Sequence, residues 1–256
     1  MQERFKKWFP LRAGESGLVL TLGFILFANY AAMGITKVVS VSGFLSEVKD
    51  HYILLVWAID MVLLILATGL QSLIVDRFDR VKLIGGVLLI FGILYAILPF
   101  SFLSSWMPAS VSYTLIYLLN DQQWRFFPVV FWILVNDIYD PGTGRRVMPV
   151  IGIFAFIGTI VGLAIAAVDA QMKFGTVNLL LLNAAIFLVA FAVSQFRLRA
   201  VKLPPPIGAH EDTMKETLTE GWEFIKTVPA FAYVALGMLA AGSVMTVLLF
   251  DVLSDA

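Results

Sequence analysis

The sequence predicts an all-α membrane protein that crosses the bilayer several times. Hydrophobic residues make up 60% of the 256 positions and charged residues only 14%, whereas charged residues are about a quarter of an ordinary soluble domain. The apolar residues form continuous runs of about 20 positions, the length at which an α-helix crosses the hydrocarbon core. Barrel strands are shorter and alternate in polarity, and a helix pairs all its backbone groups within one segment.

Seven such segments follow one another along the chain: 17–45, 52–75, 83–102, 110–136, 147–168, 177–196 and 230–250. The first follows a basic stretch, as in a signal peptide, but it is much longer than the ~7–15 residues of a signal-peptide core. We therefore interpret it as an uncleaved first span. The segments predict a six-helix transmembrane bundle in residues 1–196, a cytoplasmic linker in 197–229 and a seventh transmembrane helix in 230–256.

The linker contains an apolar stripe at helical spacing, formed by Met214, Leu218, Trp222 and Ile225. This spacing predicts an amphipathic helix, which Pro229 ends. Two placements fit the pattern equally well: an interfacial helix whose apolar face enters the lipid, or a helix docked on the protein without lipid contact.

Lysine and arginine are distributed unevenly between the two sides that these spans define. The N-terminal stretch, the loops after the second and fourth segments, and the linker carry nearly all of them, whereas the opposite side carries only Lys49 and Lys173. Cytoplasmic loops of membrane proteins are enriched in Lys and Arg, so the N-terminus is predicted to be cytoplasmic. We expect a multi-pass integral protein of the bacterial inner membrane, with the lipid bilayer as its first partner.

Four ionisable side chains fall inside predicted spans, where a charge is costly and therefore indicates a functional site: Lys37, Asp60, Asp121 and Arg125. Asp121 and Arg125 are one helical turn apart, which predicts that they share a face and pair. They belong to a polar run at residues 120–125 that begins with Asn120, and Pro128 is predicted to kink the helix beyond it. A polar, kinked segment at mid-membrane is typical of a helix that lines an aqueous cavity. The alternative places residues 120–125 in a loop.

Lys37 belongs to a largely polar helical stripe that also contains Asn29, Met33, Thr36 and Ser40. Its ammonium group either faces a cavity or snorkels to the outer interface. Asp60 either pairs with Lys37, binds a coupling proton or satisfies a buried contact between helices. The sequence does not separate these roles.

The remaining motifs do not indicate an enzyme, a cofactor or a metal site. There is no cysteine, and the two histidines, His51 and His210, lie in loops on opposite sides, so they cannot share a metal. No phosphate loop, zinc-protease motif or serine-hydrolase motif occurs. The zero net charge gives no basic field for nucleic acid. The step from Gly158 to Gly162 predicts close helix packing rather than a substrate role.

Residues 76–82, Asp-Arg-Phe-Asp-Arg-Val-Lys, lie between the second and third segments. They resemble the cytoplasmic loop motif D-R-x-G-R-[RK] of the major facilitator superfamily, with Asp79 where the superfamily has glycine. A basic N-terminus, six spans, a long cytoplasmic loop and a further span also follow that superfamily's layout. The resemblance implies a six-helix bundle of two inverted three-helix repeats plus a seventh transmembrane helix. It also implies a cytoplasmic gating loop that contains Asp76, Arg77 and Arg80.

A narrower resemblance covers most of the chain. Residues 131–137 (Phe-Trp-Ile-Leu-Val-Asn-Asp), the Asp-Pro pair at 140–141 and the Arg-Arg pair at 145–146 are similar to the ATP/ADP antiporter family of nucleotide transporters. Residues 221–229, before the seventh segment, are also similar to that family. The resemblance implies a twelve-helix antiporter that exchanges nucleotides by alternating access. This chain would hold its N-terminal half and one further helix.

The polar and charged residues inside the predicted spans lead to the hypothesis of a transport cavity, lined by Asn29, Lys37, Asp60, Asn120, Asp121 and Arg125. The two cations there attract an anionic solute, possible candidates being ATP and ADP, and the two carboxylates balance charge or carry a coupling proton. Because these charges cancel, a nucleotide with several negative charges needs further cations from the missing half. The alternative function is a truncated, non-transporting accessory or interaction protein, which the short chain favours.

Overall fold

The computed structural model describes residues 12, 14–48, 50–75, 77–103, 107–199 and 201, and the single positions 219, 223, 227, 233 and 237. The described residues form no strand. Their six long helices are α1 (Ser16–Glu47), α2 (Asp50–Val75), α3 (Arg80–Ile97), α4 (Ala109–Ile138), α5 (Pro141–Met172) and α6 (Thr176–Arg197). A short helix, Pro99–Leu103, continues α3. The six long helices correspond in order to the first six predicted segments.

The predicted linker and seventh helix lie almost wholly outside the described residues. Thr219, Glu223, Thr227, Tyr233 and Gly237 are described there, and each is helical and exposed. Thr227 Oγ1 donates to the carbonyl oxygen of Glu223 at 2.7 Å. The amphipathic stripe and the segment 230–250 therefore stay predictions.

Five helices in the described part of the chain are long and apolar enough to cross a membrane: Ser16–Glu47, Tyr52–Gln71, Arg80–Leu103, Pro141–Met172 and Thr176–Arg197. They support the predicted multi-pass membrane protein. α4 is not among them, although its 30 residues give a length of about 45 Å. The fourth predicted span is thus supported by length and not by apolarity, and its polar face needs protein or water beside it rather than lipid.

Side-chain caps explain where α3 and α5 begin. Asp79 precedes α3, and its Oδ1 accepts from the backbone N–H of Lys82 at 3.0 Å. Asp140 precedes α5 and accepts from the backbone N–H groups of Gly142 and Thr143 at 3.0 and 3.1 Å. Such caps satisfy first-turn donors that have no partner within the helix. Hydrogen bonding by Thr143, with a smaller contribution from Gly142, holds the pKa of Asp140 below its usual value.

α1 is the central helix of the bundle. In its most apolar stretch 72% of the residues are buried, against 17% in that of α2. α1 packs on α4 and α6, and most extensively on α5. A Cβ at Gly158 of α5 would lie 2.5 Å from the carbonyl oxygen of Phe27, and one at Gly162 would overlap the carbonyl oxygen of Ala31. The close packing predicted for this glycine step is therefore confirmed.

α3 and α6 form a second packed pair, while α2 lies at the edge of the bundle. Phe187 of α6 stacks on Phe91 and on Tyr95 of α3, with ring centroids 5.7 Å apart in both pairs. α2 contacts mainly α4 and exposes large apolar side chains such as Ile65 and Leu66. An exposed apolar surface on a candidate span is the surface that suits lipid.

Candidate functional site

The polar run at residues 120–125 is helical throughout. α4 extends from Ala109 to Ile138 and continues through Pro128. The alternative that placed these residues in a loop is therefore wrong. α4 packs against α1, α2 and α3, and these helices supply partners for its polar side chains.

Arg125 of α4 lies between two carboxylates. Its Nη1 donates to Asp60 Oδ2 of α2 at 2.9 Å, and its Nη2 lies 2.6 Å from Asp121 Oδ2, one turn earlier on α4. The predicted pair of Asp121 and Arg125 is confirmed. We call Asp60, Asp121 and Arg125 the ion cluster. With all three groups ionised, one cation faces two carboxylates, and one negative charge is left in excess.

The two carboxylates of the ion cluster are held differently. The Asp60 side chain is 4% exposed, and its Oδ1 accepts from Gln122 Nε2 at 3.2 Å. The Asp121 side chain is 25% exposed, and its contact with Arg125 lacks the angles of a hydrogen bond. Asp60 is therefore the anchored carboxylate, and Asp121 is the one that a ligand or water reaches more easily.

Lys37 of α1 is exposed and forms no ion pair with any described residue. Lys37 lies on α1, which packs against α4, the helix that carries Asp121 and Arg125. The alternative in which Asp60 pairs with Lys37 is wrong, because Asp60 pairs with Arg125. Asp60 does make a buried contact between helices, as another alternative expected, and its proton-binding role stays a prediction. Adding Lys37 brings the formal charge of the group to zero.

A fully buried amide network joins α1, α3 and α4. Gln123 Nε2 donates to Asn29 Oδ1 at 3.0 Å and to the Asn29 carbonyl oxygen at 3.1 Å, and the Tyr95 hydroxyl donates to Gln123 Oε1 at 2.5 Å. All three residues are inaccessible to solvent. Within the described part of the chain, Asn29 Nδ2 and Asn120 Oδ1 are buried without a hydrogen-bond partner. In this conformation Asn29 packs between helices, and its predicted place in a cavity stays a prediction.

The rest of the polar stripe on α1 is also buried. Met33, Thr36 and Ser40 are inaccessible or nearly so. Asn183 of α6 donates to Thr36 Oγ1 at 2.6 Å. The stripe therefore serves mainly to pack α1 against its neighbours, and Lys37 is its exposed member.

The predicted gating loop lies at the end of the bundle where α3 begins. Asp76 lies outside the described residues, and Arg77 is exposed. Arg80 is the first residue of α3, and its Nε lies 3.1 Å from Asp137 Oδ2 near the end of α4. This ion pair ties the loop to α4, and the gating role of the loop stays a prediction.

A second ion pair joins the starts of α1 and α5. Arg146 Nη2 donates to Glu15 Oε1 at 2.6 Å. This hydrogen bond, supported by the backbone N–H of Arg12, holds the pKa of Glu15 below its usual value. Burial, together with the charge of Glu15, raises the pKa of the neighbouring Tyr139 to about 12. The sequence predicted neither this pair nor the pair of Arg80 with Asp137.

The described helices enclose a cavity between α5 and α6 and another between α2, α3 and α4, and neither of these is lined by a member of the ion cluster. One, of about 530 Å³, lies between α5 and α6 and has mostly apolar walls. The other, of about 670 Å³, lies between α2, α3 and α4 and reaches Gln122 beside the ion cluster. The solute cavity that the sequence predicts around Arg125 therefore stays a prediction.

Three site residues were not predicted individually. Gln122 and Gln123 belong to the polar run, so the sequence marked their position but gave no partner for either. Tyr95 carried no signal, because a single hydroxyl in an apolar segment does not show which helix it faces. Their roles follow only from the rotation of α3 and α4 about their axes.

No protein-family model matches this chain, and no curated protein matches it. The resemblance to nucleotide antiporters therefore stays a prediction. Among the described residues, no group of three or more His, Asp or Glu side chains is arranged to hold a metal ion. The functional argument consequently rests on the ion cluster and its surroundings.

Proposed function

We propose that this protein is a secondary transporter of a small anionic solute and works by alternating access. The observation that carries the proposal is the ion cluster within membrane-length helices. Charged side chains inside a membrane bundle are costly and mark ion or solute pathways. A well-packed apolar group often stabilises a core as well as a buried ion pair does, so helix packing alone does not require these charges.

Arg125 is the proposed anion ligand. A guanidinium group presents a planar fork of N–H donors that matches carboxylate and phosphate oxygens. Asp60 and Gln122 anchor one side of the cluster, whereas the Asp121 contact at Arg125 Nη2 lacks hydrogen-bond geometry. An incoming anion that displaces Asp121 gains charge-assisted hydrogen bonds from Arg125. Asp121 then lacks its cation, and a proton taken from water neutralises it, which couples solute to proton.

Lys37 supplies a second cation on α1, the helix that packs against α4. It is exposed and has no ion pair in the described part of the chain, so it is free to meet a solute. Once Asp121 is protonated, the two cations and the Asp60 carboxylate leave one positive charge, which suits a solute with one negative charge. ATP and ADP, which the family resemblance suggests, carry more negative charge and would need further cations.

The helix packing supports the two-repeat arrangement of the major facilitator superfamily. If α1–α3 and α4–α6 are equivalent, the contact of α1 with α5 corresponds to that of α4 with α2. The contact of α1 with α6 then corresponds to that of α4 with α3. All four pairs pack together, as do the self-equivalent pairs α1 with α4 and α3 with α6. In this arrangement α1 and α4 are equivalent helices, and they carry Lys37 and Arg125.

The orientation proposed from the basic residues places the N-terminus on the cytoplasmic side of a bacterial inner membrane. Arg77, Arg80 and Arg146 then lie at the cytoplasmic end of the bundle. Arg80 and Arg146 each tie two helices together there. Such ties would hold this end closed while the opposite end is open.

Uptake by liposomes containing the purified protein tests the proposal. Labelled inorganic phosphate, succinate, ADP and ATP are offered with and without unlabelled solute or a pH gradient inside. We expect one of these anions to accumulate, and Arg125→Gln to lower its uptake about 10- to 100-fold, the loss of one charge-assisted interaction. Asp121→Asn should retain exchange and lose the response to the pH gradient. Lys173→Gln, at an exposed lysine outside the ion cluster, is the matched control and should leave uptake unchanged.

Two results contradict the proposal. If Arg125→Gln transports as fast as the unchanged protein, Arg125 is not the anion ligand. If the folded protein moves none of these anions, the accessory or interaction protein becomes the better hypothesis.

A further inference from the structure

A long apolar groove lies between α2 and α3 and ends against α4; we call it the α2–α3 groove. Its volume is about 670 Å³. Its walls include Leu66, Leu70, Ile90, Leu94 and Phe126. The four aliphatic side chains among these are exposed and Phe126 is half-buried, so the groove is open along its side. Because both flanking helices are candidate spans, that opening suits hydrocarbon rather than water.

The groove has a charged end and an apolar body. Lys82 lines the end where α3 begins, is exposed, and forms no ion pair with a described residue. Arg77 is exposed in the same loop, whereas Arg80 is engaged by Asp137. The nearest acid in sequence, Asp79, accepts from the backbone N–H of Lys82 as the cap of α3. Lys82 is therefore the cationic side chain that the groove offers to an anionic group.

The length of the groove matches one leaflet of a bilayer. Along α3 it extends from Lys82 to Leu94, which is about 18 Å at the rise of an α-helix. Half of the hydrocarbon core is about 15 Å. A chain that begins at Lys82 in the headgroup layer therefore ends near the middle of the membrane.

We infer that the α2–α3 groove binds an anionic phospholipid, with one acyl chain along the groove and the phosphate at Lys82. Basic pockets between transmembrane helices are suited to such headgroups. The apolar walls do not suit a polar solute. An apolar helix from a second copy of the chain would leave Lys82 without an anionic partner. The proposal is independent of the transport function.

The groove also reaches the back of the ion cluster. Gln122 lines the groove and donates to Asp60. Phe126, another wall residue, accepts from Gln71 of α2 through its carbonyl oxygen at 3.0 Å. A bound acyl chain therefore packs against the same turn of α4 that holds α2 in place.

Glycine positions make a matched test. A Cβ at Gly86, in the groove wall, meets nothing within 4 Å, and the same is true at Gly152 of α5, outside the groove. Gly86→Leu should fill the groove without strain, and Gly152→Leu adds the same side chain elsewhere. Native mass spectrometry in detergent measures the retained phosphatidylglycerol and phosphatidylcholine for each variant, and circular dichroism checks helicity.

We expect the unchanged protein and Gly152→Leu to retain phosphatidylglycerol in preference to phosphatidylcholine. Gly86→Leu should lower retention of both lipids at least about tenfold. Lys82→Gln should weaken phosphatidylglycerol binding about fivefold, the effect of one basic residue near an anionic headgroup, and leave phosphatidylcholine unchanged. Equal retention by the two leucine variants, or no effect of Lys82→Gln on the lipid preference, would overturn the inference.

The absence of cysteine from the chain allows a second test by site-directed crosslinking. Ile90→Cys carries the only thiol, so a photoreactive maleimide labels one position in the groove. Crosslinking to labelled phosphatidylglycerol supports the inference. Crosslinking to a second copy of the chain, or to residues 230–250, shows that protein occupies the groove instead and overturns it.

Discussion

Replacing Arg125 with glutamine should destabilise the protein, because it leaves two carboxylates together without their shared cation. Of the two carboxylates, Asp60 carries the larger penalty for losing its cation, since its side chain is 4% exposed and would keep the hydrogen bond from Gln122. Removing one partner of a buried ion pair costs about 3–5 kcal/mol. Arg125 is itself 30% exposed, so water relieves part of the penalty, and we expect about 3 kcal/mol in the free energy of unfolding.

A double-mutant cycle separates this charge effect from lost packing. Asp60→Asn alone keeps the pair of Arg125 with Asp121 and should cost only about 1 kcal/mol. Combining Asp60→Asn with Arg125→Gln removes the stranded buried charge, so the double variant should be more stable than the sum of the single effects predicts. The expected coupling is about 1–3 kcal/mol. Titration with sodium dodecyl sulfate in mixed micelles, followed by circular dichroism, measures the free energies of unfolding.

Additive single effects would refute the reasoning, since they would mean that Asp60 and Arg125 do not share a buried charge pair. A change below about 0.5 kcal/mol in Arg125→Gln would refute it too, because that is the ordinary effect of a surface substitution. Lys173→Gln, at an exposed position, provides the surface control.

Two further predictions concern helix packing and pH. Gly162→Leu should destabilise the protein by at least about 1–3 kcal/mol, because its side chain overlaps the carbonyl oxygen of Ala31, whereas Gly152→Leu should be nearly neutral; thermal unfolding of the two variants checks this. The pKa of Glu15 is lowered by Arg146 from its ordinary value of 4.5, so their pair stabilises the fold above pH 4.5 and loses that effect as the pH falls through the lowered pKa. Glu15→Gln should therefore flatten the dependence of the unfolding midpoint on pH below 4.5, and an unchanged pH profile would contradict the assignment.

The fold was predictable where local signals decide it. Apolar run length located six helices in the right order, although α5 begins at Pro141, six residues before the predicted segment 147–168. The spacing of Gly158 and Gly162 predicted close packing, because small residues one turn apart make a groove on a single helix face. α4 is less apolar than the span predicted at residues 110–136. Its polar run is compatible with a membrane bundle only because other helices supply partners for it.

Only the part of the ion cluster that lies on a single helix was predictable from the sequence. Asp121 and Arg125 are four residues apart on one helix, so their pairing follows from helix geometry. The partner of Asp60 depends on how α2 is rotated against α4, which no local periodicity encodes. The sequence offered Lys37 as the cation for Asp60, whereas Asp60 pairs with Arg125. Tyr95 was missed for the same reason, since its bond to Gln123 joins two separate helices.

The contacts that hold α2 suggest where a conformational change would begin under the proposed mechanism. α2 is the least buried of the candidate spans, so apolar packing holds it weakly. Three of its polar contacts reach one stretch of α4: Asp60 meets Gln122 and Arg125, and Gln71 donates to the Phe126 carbonyl oxygen. The hydrogen bonds that Gln71 and Gln122 donate between membrane helices contribute only about 0.6 kcal/mol each on average, so they break and re-form at low cost, whereas the ion pair of Asp60 with Arg125 contributes more. An anion that binds Arg125 would weaken the ion pair between Arg125 and Asp60. α2 is therefore the helix whose position solute binding would change first.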